Sequence, residues 1–139
     1  MTYGPADLYV VEFPASTVPA AVIATLREVA SSGVITLLDV ALIRTAADGT
    51  RQVVELDGFA DEAGLLPQAT GLIGMDDITD LAGDLAPGSA TLVVLMENTW
   101  ARTITKAVHD ANARVVAVER FPAEVVNDVA ALASDGEDD

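Results

Sequence analysis

The chain of 139 residues has no cysteine, one histidine, one tryptophan and one lysine. Each scarcity removes a class of protein. Without thiols there is no disulfide framework, no cysteine-ligated zinc, no iron–sulfur cluster and no thiol nucleophile. Cations are also few: 7 Lys and Arg stand against 22 Asp and Glu, for a net charge of −15. A field of that sign repels a phosphate backbone and an anionic lipid surface, so neither nucleic acid nor anionic membrane is an expected partner. Long apolar runs are missing too. A bilayer span needs about 20 consecutive apolar residues, and the purest run here is Leu92-Val93-Val94-Leu95-Met96. The opening residues lack the basic flank and apolar core of a secretory signal, which predicts a cytoplasmic protein.

What the chain has in quantity is apolar residues, 51% of the total, with a mean hydropathy of +0.40. That content offsets the entropy cost of folding and argues against disorder. The length suits one domain, expected over residues 1–133, followed by a disordered acidic tail over 134–139.

The elements follow from period and punctuation. Leu8-Tyr9-Val10-Val11-Glu12-Phe13 reads as a strand, apolar on both faces and therefore central in a sheet. A helix is expected over 17–32, capped by Ser16 or Thr17, with Val22, Leu26 and Val29 on one face and Gly33 as its stop. Residues 34–44 form a long apolar strand interrupted by Asp39, and Ala47-Asp48-Gly49 turns the chain into an antiparallel strand from Arg51. Residues 57–74 hold four glycines and Pro67 without sustained period, and read as a long connection. A short helix over 76–85 precedes a buried strand over 90–97. A helix over about 99–112 then carries Trp100, Ile104, Ala107, Val108 and Ala111 on a stripe expected to be core. Residues 114–121 alternate as a last strand, and Pro122 opens a terminal helix. The predicted fold is α+β: a ferredoxin-like sandwich of two βαβ units with an added hairpin strand and a terminal helix.

No catalytic set is apparent, and no metal or cofactor is expected. Asp76-Asp77-x-x-Asp80 has the spacing of a magnesium-binding carboxylate run, but two aspartates in a first helical turn also satisfy the helix dipole, and no second motif accompanies them. Arg102, Lys106 and His109 form the one cluster of cations, either a partner site or charge balance. His109 has no serine or cysteine in a nucleophile context. Glu12, Asp39, Glu97 and Arg120 lie on or at the ends of apolar strands, where a charge must be exposed, paired or functional, and a Glu97–Arg120 pair is the first to test.

Several stretches resemble a known family: Leu38-Asp39-Val40-Ala41-Leu42-Ile43 with Asp48-Gly49, Pro87-Gly88-Ser89-Ala90, Glu97-Asn98-Thr99-Trp100-Ala101, and Arg120-Phe121-Pro122-Ala123-Glu124. The chain is similar over about residues 5–130 to a family of small acidic actinobacterial proteins known only as a domain of unknown function. The resemblance names relatives and no activity. A broader group of relatives has a long hydrophobic insertion after the hairpin and a predicted membrane association. Here that region is short and contains Asp57, Asp61 and Glu62, so membrane insertion does not carry over.

Two readings of function follow. The first is a non-enzymatic module that self-associates as a homo-oligomer, through its sheet face or an edge strand, or binds another protein. The second is a small-molecule-binding or enzymatic domain with a pocket between the sheet and the 57–74 loop. Glu97, Trp100, Arg102, Lys106, His109 and Arg120 are the candidate ligand or interface residues. An acidic surface offered to a basic partner is a third possibility.

Overall fold

The two most apolar stretches become the two central strands of a sheet. β2 (Thr36–Thr45) and β4 (Ala90–Glu97) pair antiparallel, with Val40 opposite Val94 and Leu42 opposite Leu92. β3 (Arg51–Val54) joins β2 through the expected hairpin, and β1 (Ala6–Phe13) pairs antiparallel with β4. The computed structural model describes residues 3–54, 64–69, 71–74, 80 and 83–137. Among these the protein is α+β, with a four-stranded antiparallel sheet in the order β1-β4-β2-β3 and three α-helices. Its contacts group the chain into two units, residues 1–107 and 108–139.

Within the first unit, β1 and β2 both run antiparallel to β4 and hence parallel to one another, connected by α1 (Ala20–Ser31). The helix starts after Pro19, with no side-chain cap, rather than at Ser16 or Thr17. Proline has its φ preset for this position, and its carbonyl accepts the Val22 N–H at 3.0 Å. Gly33, at φ 84°, ends the helix in the left-handed region that glycine enters without strain. Val22, Leu26 and Ala30 of α1 pack on Leu37, Val40, Leu92 and Val94, which form one face of the sheet. On the other face Ala41, Ile43 and Val93 meet Ile73 and Leu85 from the connection that follows β3. Each large aliphatic side chain so buried contributes about 1.5–3 kcal/mol, and β2 buries eight of its ten residues.

Among the described residues β1 is an edge strand and not a central one. Its apolar run calls for cover on both faces, but face cover says nothing about how many strand neighbours it has. Leu8, Val10 and Val11 are 37–40% exposed.

Asp39 shows how a charge enters the middle of β2. One carboxylate oxygen accepts the Val40 N–H at 2.9 Å, and the other accepts the Gly71 and Ile73 N–H groups at 3.1 and 2.9 Å. A register irregularity between Leu37 and Asp39 leaves two carbonyls to bind Gln68 N–H and Ala69 N–H. Residues 68, 69, 71 and 73 are thereby tied to the strand through backbone groups that would otherwise be buried without partners. The helix expected over 76–85, including Asp76 and Asp77, falls mainly outside the described residues.

α2 (Arg102–Asp110) continues a 3₁₀ turn over Thr99–Ala101. Its expected core stripe is not buried. Trp100 is 59% exposed and Ile104 58%, because helical period marks an apolar face without supplying the surface to cover it.

In the second unit, a turn at Asn112, with φ 58°, leads into residues 113–122, which form no strand. α3 (Ala123–Glu137) follows, starting on Pro122 as expected and extending past the expected start of the tail. The fifth strand over 114–121 is thus absent. Alternation supplies strand propensity, but a strand exists only where a neighbour completes its ladder. Every described side chain from His109 to Ser134 is exposed.

Candidate functional site

The end of β4 carries Glu97 into a fully buried position, and the chain turns there so that Arg102, five residues on, comes back over it. Arg102 Nε donates to Glu97 Oε2 at 2.7 Å and Nη2 donates to Oε1 at 2.5 Å, a two-point pairing that matches the planar shapes of both groups. The Gly4 N–H also donates to Oε2. The hydrogen bond from Arg102, reinforced by Gly4 and Thr36, holds the Glu97 carboxyl below the usual carboxylate range despite burial. Glu97 in turn raises the pKa of Arg102. A carboxylate held ionised in this way has little proton affinity near neutral pH and makes a poor general base.

Neighbouring contacts fix this corner. Asn98 N–H donates to the Pro5 carbonyl at 2.7 Å, and the Asn98 side chain donates to Asp7 at 2.9 Å, so the turn after β4 is tied to β1. The Thr36 and Thr99 hydroxyls lie 2.6 Å apart. Tyr3 sets its ring 5.8 Å from the Arg102 guanidinium, within the range of a cation–π contact.

Beside this corner lies an open cavity of about 620 Å³, between the start of β2, the end of α1 and residues 64–68. Arg27, Arg102, Gln68 and Tyr3 supply its polar rim, and Leu37 and Leu65 are among its apolar lining. Gly64, at φ 71°, brings the loop backbone within close reach of Arg27. Small-molecule sites range over about 300–1,000 Å³. Among the described residues no group of His, Cys, Asp and Glu is arranged to hold a metal.

Glu97 and Arg102 come together as an ion pair, and Arg102 alone of the six sequence candidates lines the cavity. Trp100 is exposed on the 3₁₀ turn, a correction to its reading as core, and Lys106 is exposed on α2. His109 and Arg120 belong to the second unit. The counter-charge the structure gives Glu97 is Arg102, in place of the proposed Arg120. Tyr3, Arg27 and Thr36 were not legible as site residues. A pair spaced by five across a strand-to-helix junction fits neither the strand nor the helix period, and Tyr3 and Arg27 reach the cavity from distant parts of the chain.

A family model matches residues 2–135, and its description is a family of unknown function, DUF6325. No curated protein and no solved structure matches the chain.

Proposed function

We propose that this chain, which belongs to the family of unknown function DUF6325, is a self-associating interaction module whose second unit is completed by another copy. The observation that carries the reading is the second unit itself. Val115, Val116, Val118, Phe121, Val129 and Leu132 are 57–82% exposed. A segment with no buried side chain among its described residues lacks the packing that outweighs its ordering entropy, and contiguous apolar exposure of this kind marks an interaction surface. The acidic surface keeps such a molecule soluble while its apolar parts meet their partner. A ferredoxin-like architecture accords with β4 lying between the parallel β1 and β2. Light scattering at micromolar concentration tests the reading. A dimer or larger closed oligomer is expected, and a strict monomer overturns it.

The cavity beside Arg102 favours a second reading, a small-molecule site. An apolar cleft with Arg27 and Arg102 at its rim, the latter already neutralised by Glu97, suits a small and mainly apolar ligand with a polar end. A thermal-shift screen of apolar molecules with a polar end checks this, since a ligand at 100 times its Kd adds about 2.7 kcal/mol. If no compound raises the Tm, this reading falls.

A further inference from the structure

The cavity beside the Glu97–Arg102 pair has no surplus charge to offer a ligand. Arg102 is paired with Glu97, which is fully buried, so the two together are neutral. Arg27, the other cation of the rim, has an interaction of its own. No Asp or Glu stands among the described lining residues. An ionised ligand entering this cleft would lose hydration without meeting an unpaired counter-charge. A carboxylate or phosphate would also be approaching a chain of charge −15.

What the walls do offer is apolar surface and two kinds of hydrogen bond. Leu37 and Leu65 are buried, whereas Leu66, on the same lining, is 77% exposed. An aliphatic side chain left in water beside a cleft is surface that an apolar ligand covers favourably. Arg102 has five N–H groups, of which the pairing with Glu97 engages two. Its side chain is 41% exposed and lines the cavity, so donors remain for an oxygen acceptor. The Thr36 and Thr99 hydroxyls line it too, 2.6 Å apart. An ionised carboxylate only accepts, so Thr36 donates to Glu97, and Thr99 then donates to Thr36. The Thr99 oxygen keeps lone pairs for a donor on the ligand.

We propose, building on the small-molecule reading, that the cavity takes an uncharged and mainly apolar molecule ending in a primary amide or an alcohol, a group that both accepts and donates. The ligand oxygen accepts from Arg102, its N–H or O–H donates to the Thr99 oxygen, and its apolar body covers Leu66. An ammonium end meets Arg102 as a like charge. A ketone satisfies Arg102 and leaves Thr99 unmatched.

The test titrates the full chain at neutral pH, by calorimetry, with octanamide, octanol, methyl hexyl ketone, octanoate and octylammonium. The amide and the alcohol are expected to bind about tenfold more tightly than either ion, with the ketone between. Tighter binding of octanoate would overturn the uncharged class and leave the small-molecule reading standing, whereas no binding by any of these compounds removes both. Equal affinities throughout would reduce the contact to apolar burial and overturn the polar end. Leu66→Asp alters an exposed position, so the fold and its Tm should hold while octanamide binds about tenfold more weakly. Unchanged affinity would move the ligand elsewhere, as to the apolar groove along Val22, Leu26, Val29 and Met96, and overturn the site. Thr99→Val should weaken octanamide and octanol severalfold and leave the ketone unchanged. An equal loss for the ketone, or no loss at all, would overturn the role of the Thr99 oxygen.

Discussion

β2 and residues 114–121 are both apolar, β-branched and of strand length, yet β2 buries eight of ten residues and 114–121 exposes all of its own. The difference lies in the neighbours. β2 has β4 on one side and β3 on the other, α1 on one face and Ile73 with Leu85 on the opposite face. Its polar interruption, Asp39, is satisfied by three backbone N–H groups. Strand propensity and apolar content are therefore shared properties of the two segments, and a completed set of neighbours is what separates them.

The contrast is open to breakage, most severely in β2. Leu42→Ala, at a position 2% exposed, is expected to cost about 3 kcal/mol in a urea titration. Val118→Ala, at a position 81% exposed, should leave the stability of the monomer within about 0.5 kcal/mol while weakening the proposed self-association. Equal losses of monomer stability would abolish the distinction between the segments.

Glu97→Ala at the end of β4 is expected to cost about 2 kcal/mol, since it leaves the Gly4 N–H and a guanidinium without their acceptor. The pH dependence has a definite sign. The folded state lowers the pKa of Glu97, so the pair stabilises above the ordinary carboxylate range and that stabilisation is lost as pH falls through the depressed folded value. Arg102→Ala should accordingly lie furthest below the parent protein near neutral pH and approach it in acid. A gap that stays constant across a pH series of denaturation midpoints would contradict this role of the ion pair.

Smaller effects sharpen the picture of β2 and its neighbours. Gly49→Ala in the β2–β3 turn, where φ is 87°, should cost about 1 kcal/mol by calorimetry. Thr91, opposite Ile43, is buried, and its hydroxyl has no protein hydrogen-bond partner among the described residues. Thr91→Val is expected to raise stability by about 0.5–1 kcal/mol, because an apolar group of the same shape replaces one that was desolvated without return.

Much of the fold was legible where a local pattern and its long-range environment agree. The 90–97 strand, the hairpin at Asp48-Gly49 and the Gly33 stop were all read from period and turn chemistry. The place of β1 at the edge was not, since hydropathy records the medium a side chain enters and not the count of backbone neighbours. Trp100 and Ile104 show the same limit on a helix, where a real apolar stripe remains exposed. The candidate site was legible only as individual charges that required partners. Glu97 was one of them, but its pairing with Arg102 depends on the angle at which the chain leaves β4, and the cavity depends on how Tyr3, Arg27 and Gln68 converge.

By itself the sequence determined that this chain folds around an aliphatic core, that the four strands of the described sheet are strands, though it marked 114–121 as a fifth, and that thiol chemistry has no place in it. These follow from composition, from local turn geometry and from side chains whose transfer out of water is favourable wherever they are buried. Only the tertiary structure decided the strand order, the partners of Asp39 and Glu97, and which apolar segments are buried at all. A residue's need for cover is a property of its own surface, whereas the cover itself is a property of whatever the rest of the chain brings against it.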